Sequence, residues 1–80
     1  MRLPRDVSGE HLATRLASLG YLATRQTGSH LRLTTEQNGE HHLTIPRHPA
    51  LRIGTLSAIV SDVASHHHLD REDVLSLLFS

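Results

Sequence analysis

The sequence predicts a thin α+β sandwich of order α-β-β-β-α-α, with helices covering one face of a three-stranded antiparallel sheet. Three observations predict it. Leu12, Leu16 and Leu19 recur at i, i+4, i+7, the spacing of one helix face. Three short alternating segments follow, separated by Thr27-Gly28-Ser29 and Gln37-Asn38-Gly39, and connections that short imply an antiparallel meander. After Gly54-Thr55, the apolar residues Leu56, Ile59, Val60, Val63 and Ala64 follow i, i+3, i+4, i+7, i+8, which marks a second amphipathic helix.

The first helix is expected over about residues 8–19, with Ala13 and Ala17 flanking its leucine face. Ser8 suits the N-cap, Val7 can staple onto Leu12, and Gly20 supplies the stop. Strands are expected near residues 21–26, 30–36 and 40–45. In the second, Leu31 and Leu33 alternate with His30, Arg32 and Thr34; in the third, His41, Leu43 and Ile45 alternate with His42 and Thr44. Residues directly opposite each other share a face of the sheet. A two-residue Asn38-Gly39 turn would set Leu33 against Thr44 and mix the faces. A three-residue loop of Gln37, Asn38 and Gly39, with Gly39 left-handed in a bulge, sets Leu33 against Leu43 and Leu31 against Ile45. That register places Glu36 opposite Glu40, a smaller penalty than a misplaced apolar face. It also gathers His30, Arg32, Thr34, His42 and Thr44 on an open polar face.

Pro46 and Pro49 make residues 46–53 an ordered loop leaving the sheet. The second helix starts at Gly54-Thr55. A third begins at Asp70, with Glu72 and Asp73 in its first turn and a staple from Leu69 to Val74. Its Leu75, Leu78 and Phe79 are expected to pack on the body or on a second molecule. Residues 1–80 read as one domain, and a domain of that length buries only about 60–65% of its unfolded surface.

Eight arginines balance eight acidic residues, so the net charge of zero does not by itself announce a nucleic-acid binder. Lysine is absent and there are eight histidines, so much of the potential positive charge appears only as pH falls. The lack of cysteine removes both a disulfide framework and a thiolate zinc site. No apolar run approaches the roughly 18 residues of a membrane span, and no apolar signal segment follows Arg2 and Arg5. The expectation is a soluble, cytoplasmic chain with no membrane association.

The run Gly20-Tyr21, a short strand, Gly28-Ser29-His30, a hairpin, and then Ile53-Gly54-Thr55-Leu56 before an apolar helix resembles the HicA (YcfA-like) toxin family. The resemblance covers about residues 7–78, the acidic-capped last helix included. It implies a fold like the double-stranded-RNA-binding domain (dsRBD), an endoribonuclease (mRNA interferase) activity, an mRNA substrate and a HicB-type antitoxin covering the catalytic face. The chain departs from the family pattern at Thr27, where a basic residue is common, and in its missing lysines. Both departures predict weak RNA affinity.

RNA cleavage without a metal needs a group that takes the proton of a 2′-hydroxyl and donors that stabilise charge on the phosphate. His30 is the catalytic candidate, since imidazole titrates near neutrality and this one enters the second strand on the open face. Gly28 and Ser29 form the turn where backbone can approach a phosphate. Arg32 should share the face, and Arg25, Arg47 and Arg52 complete the candidate RNA contacts. His42 is either an aid to His30 or a plain exposed strand residue. His41 reads as packing. No cofactor or metal is expected: His66, His67 and His68 point about 100° apart on a helix, and read as a polar helix end. The alternative is a non-catalytic module of the same fold that binds RNA or a protein, with His30 as a contact.

Overall fold

The computed structural model describes residues 2–80. The elements are α1 (Gly9–Leu16), continued by a 3-10 turn (Ala17–Leu19), then β1 (Leu22–Gln26), β2 (His30–Thr35), β3 (His41–Pro46), α2 (Ile53–His67) and α3 (Arg71–Phe79). The sheet order β1-β2-β3 follows the chain, and both pairings are antiparallel. The Cα envelope measures 31 × 28 × 18 Å, and its shortest dimension leaves room for one sheet layer and one helix layer.

Local chemistry explains where α1 starts and stops. Ser8 Oγ accepts the His11 amide at 3.0 Å, and Gly20 ends the 3-10 turn in a left-handed conformation with φ 82°. Val7 and Leu12 are both buried in the core, as a staple requires. Gly9 is needed for a close approach: a Cβ there would lie 1.9 Å from the Pro46 carbonyl oxygen. The Gly9 amide donates to His48 O at 3.0 Å, so the first turn of α1 is seated against the end of β3.

The β2–β3 register is Leu31↔Ile45, Leu33↔Leu43 and Thr35↔His41, the register of the three-residue loop. Inward residues Leu31, Leu33, Leu43 and Ile45 are buried, while His30, Arg32, His42 and Thr44 are exposed. The loop differs in one respect. Asn38 (φ 58°) is left-handed as well as Gly39 (φ 96°). Asparagine tolerates this region better than most residues, and Asn38 gains a bond from its side chain to His67. Strand β3 runs one residue further than expected, ending on Pro46 at a sheet edge, where the missing amide costs nothing.

The first strand begins at Leu22, one residue later than the sequence indicates, because Tyr21 turns inward and is buried. A bulge interrupts β1 between Ala23 and Arg25. All five β1 residues are exposed, so no alternation of polarity marked its faces.

Helix α2 contributes Leu56, Ile59, Val60, Val63 and Ala64 to the core, and α3 contributes Val74, Leu75 and Leu78. The last helix therefore packs on the body of its own chain, with Phe79 partly buried. It starts at Arg71, one residue after Asp70, whose side chain makes no capping bond. Arg71 instead clamps α3 to α2, donating to the Ser57 carbonyl at 3.0 Å and to the hydroxyls of Ser57 and Ser61. Each fully buried leucine in this thin core contributes on the order of 1.5–3 kcal/mol.

Candidate functional site

The turn between β1 and β2 is closed by Thr27. Its amide donates to His30 O at 2.9 Å, and its hydroxyl accepts the His30 amide at 3.2 Å. Threonine thus does structural work at the position where the sequence lacks a basic residue. Gly28 and Ser29 form the tip, and a Cβ on Gly28 would meet nothing within 4 Å, so the backbone there is open to approach. Arg47 braces the turn from the β3 side. Its amide donates to Ser29 O at 2.8 Å, and its guanidinium reaches Thr27 O at 3.4 Å while pairing with Glu10 at 2.6 Å.

His30 leads β2 with an exposed ring. Its Nδ1 lies 2.9 Å from Ser29 Oγ, and among the described residues nothing occupies Nε2. When Nδ1–H donates to Ser29, the Nε2 lone pair is free and faces solvent, the tautomer a base needs.

The bulge in β1 completes the open face. Arg25 pairs with Arg32, and Arg32 pairs with Thr44, so the three form one row across the sheet, two residues along β2 from His30. Thr24 Oγ1 bonds Thr34 Oγ1 at 2.9 Å, which fixes the bulged residue on the same side. The structure therefore brings together His30, Ser29, Gly28, Arg25 and Arg32. Arg47 stands beside them with its charge partly spent on Glu10. Arg52 lies off the sheet, as the exposed N-cap of α2. His42 is also separate. Facing Thr34 while His30 faces Pro46, it lies four positions away, about 13 Å at strand spacing. Its Nδ1 takes Thr34 Oγ1 at 2.8 Å and its Nε2 pairs with Glu40 at 3.3 Å.

A second cluster lies on the other side of the sheet. Asp62 accepts from His41 Nε2 at 3.1 Å, so the neutral ring presents Nδ1 as the acceptor for the Tyr21 hydroxyl at 2.7 Å. Tyr21 O then accepts from His67 Nε2 at 3.0 Å, and His67 Nδ1 accepts from the Asn38 amide at 3.1 Å. Every donor and acceptor along this chain has one consistent direction. His66 stacks on His41 with centroids 4.2 Å apart and donates from Nε2 toward the carbonyls of Gln37 and Gly39. The histidine run is thus no simple polar helix end. Only His68, the left-handed C-cap, is exposed; His67 is buried. Burial, and secondarily the Asp62 charge, push the Tyr21 hydroxyl up to about 12. Burial first, then repulsion from His66, His41 and His68, holds His67 below the usual imidazole range. Among the described residues, no three histidines or carboxylates converge to hold a metal ion.

Residues 9–64 match the family model of the HicA toxin of bacterial toxin–antitoxin systems. The chain belongs to the HicA toxin family. That membership makes it the toxin of a toxin–antitoxin pair, with an antitoxin as its partner. The match runs from the first residue of α1 into the last turns of α2, and so contains the Gly28-Ser29-His30 turn and the whole sheet. No curated protein and no solved structure matches this HicA-family chain. None of its helices is long and apolar enough to cross a membrane, among the described residues.

Proposed function

We propose that this HicA-family toxin is a metal-independent endoribonuclease, an mRNA interferase of the cytoplasm, with His30 as its catalytic base. The observation that carries the reading is the free Nε2 of His30 on an open polar face, its Nδ1 engaged by Ser29. Nε2 takes the proton of an RNA 2′-hydroxyl, and the 2′-oxygen attacks the adjacent phosphorus. The bond to the 5′-oxygen breaks, and that oxygen takes up a proton from the imidazolium. A 2′,3′-cyclic phosphate and a 5′-hydroxyl result. Arg32 and Arg25 hold the strand through its phosphates, while Gly28 and Ser29 let its backbone come close.

Beside His30 the face offers guanidiniums and hydroxyls, and its other imidazole, His42, lies about 13 Å along the sheet, too far to share a cation with His30. Cleavage is therefore expected to survive EDTA. A HicB-type antitoxin would silence the toxin by covering this face. The test is cleavage of several RNAs by the antitoxin-free protein in EDTA, beside a folded His30→Ala variant. Cleavage by the unmodified protein and none by the variant is the expected result. A variant that cleaves at the original rate removes His30 from the mechanism, and no cleavage by the unmodified protein makes the domain a binding module.

A further inference from the structure

Arg25 and Arg32 face each other directly across β1 and β2. Facing Cα atoms in an antiparallel pair stand about 4.5–5.5 Å apart, and like charges placed opposite each other destabilise a sheet. Neither guanidinium has a hydrogen bond or ion pair to offset this, among the described residues, although the chain holds eight carboxylate side chains. The arrangement also depends on an irregularity. Ala23 stands opposite the inward-facing Leu33, so a regular strand would turn Arg25 to the helix side; the extra residue at Thr24 sets it opposite Arg32 on the open face instead. Thr44, opposite Arg32, adds a hydroxyl with no partner among the described residues.

We infer that the Arg25–Arg32 pair, with Thr44, is a preformed phosphate site that holds the RNA phosphate neighbouring the one cleaved. The site rests on the reading of the open face as the RNA-binding face. Two guanidinium forks at facing positions on one side of the sheet offer several donors to a multi-oxygen anion, and the anion removes the repulsion between them. Arg32 lies two residues from His30 on the same face, about 6.6 Å along the strand, so a strand threaded over His30 passes the pair next. A site that binds a phosphate not undergoing reaction contributes equally to ground and transition states. It sets KM and leaves kcat alone.

Thermal unfolding of the intact chain tests this, with inorganic phosphate exchanged for chloride at constant ionic strength. The proteins compared are the unmodified chain, Arg25→Gln, Arg32→Gln and, as control, Arg15→Gln, which alters an exposed arginine on α1 across the sheet. Phosphate should raise the Tm of the unmodified chain and of Arg15→Gln, and the shift should vanish in the other two. Without phosphate, those two should unfold at the same temperature as the unmodified chain or higher, because a repulsion has been removed. Against a single-stranded oligonucleotide, the slope of log affinity on log salt should fall by about 0.7 for each of the two arginines removed. Cleavage should show a raised KM with kcat retained. A phosphate shift that persists in both variants, or an unchanged salt slope, overturns the site. A Tm shift caused by an acidic peptide but not by phosphate or the oligonucleotide overturns it in favour of a protein contact. If His30→Ala still cleaves at full rate while phosphate binding and salt slope follow the arginine pair, the catalytic reading falls and the phosphate site stands.

Discussion

One chain uses histidine in two opposite ways on the two sides of a single sheet. On the open face, His30 is exposed, held through one nitrogen by Ser29 and, among the described residues, left free at the other. Beneath the β2–β3 hairpin, His41 and His67 have both ring nitrogens engaged, and each is needed to complete the bonding of Tyr21. A ring with a vacant nitrogen can exchange a proton with a ligand. One with two fixed partners can only hold a shape. The contrast shows that histidine count says little about chemistry until burial and partners are known.

The largest expected effect sharpens this contrast on the exposed side. His30→Ala should lower RNA cleavage by about 10²–10⁴-fold, the usual contribution of a positioned acid–base group. Its free energy of unfolding in urea should stay within about 0.5 kcal/mol of the unmodified protein, because no core cavity forms. A comparable loss of stability would erase the distinction between the two sides.

The buried side should give the reverse result. Tyr21→Phe removes the hydroxyl that both His41 and His67 need, and leaving such groups unpaired costs about 1–3 kcal/mol in urea unfolding. Cleavage per folded molecule should not change. A Tyr21→Phe variant as stable as the unmodified chain would mean that the network is not coupled as its geometry implies.

Acid should act on the two sides in opposite senses. His67 has a depressed affinity for protons in the folded state, so unfolding takes up protons once pH falls below its unfolded value near 6.5. The stability it contributes is complete above that pH and is lost as pH drops toward the folded value. RNA affinity, in contrast, should tighten toward pH 6 as exposed histidines gain charge. Urea midpoints and RNA titrations between pH 8 and pH 5.5 would separate the two. A His67→Leu variant with an unchanged acid limb would exonerate His67, and affinity flat with pH would count against histidine-assisted phosphate contact.

The smallest effect belongs to Arg47, whose paired groups are partly exposed. Arg47→Ala should cost only about 0.2–1 kcal/mol, together with a rise in KM from a loosened Thr27 turn. A loss of more than that would show that the brace holds the fold as well as the turn.

The sequence made the fold legible where a period existed. The leucine spacing of α1, the stripe of α2 and the parity argument for the hairpin all rest on one buried face against one wet one, and each agrees with the structure. Strand β1 has no such contrast, since all its residues are exposed, so its bulge and the aim of Arg25 were invisible. The buried cluster was half legible. Parity turned His41 inward, and continuing the α2 stripe from Val60 and Val63 by one more turn reaches His67. What composition hid was the pairing of those rings with Tyr21, which joins residues 21, 41 and 67 only once the chain has folded.

The bulge at Thr24 also bears on what the chain must avoid. β1 ends the sheet, and a bare edge invites another copy to add a strand and start an aggregate. An extra residue breaks the regular spacing that an incoming strand would have to match, and the charge of Arg25 beside it discourages such pairing further. The irregularity that turns Arg25 to the open face thereby also makes the β1 edge a poor template for an added strand.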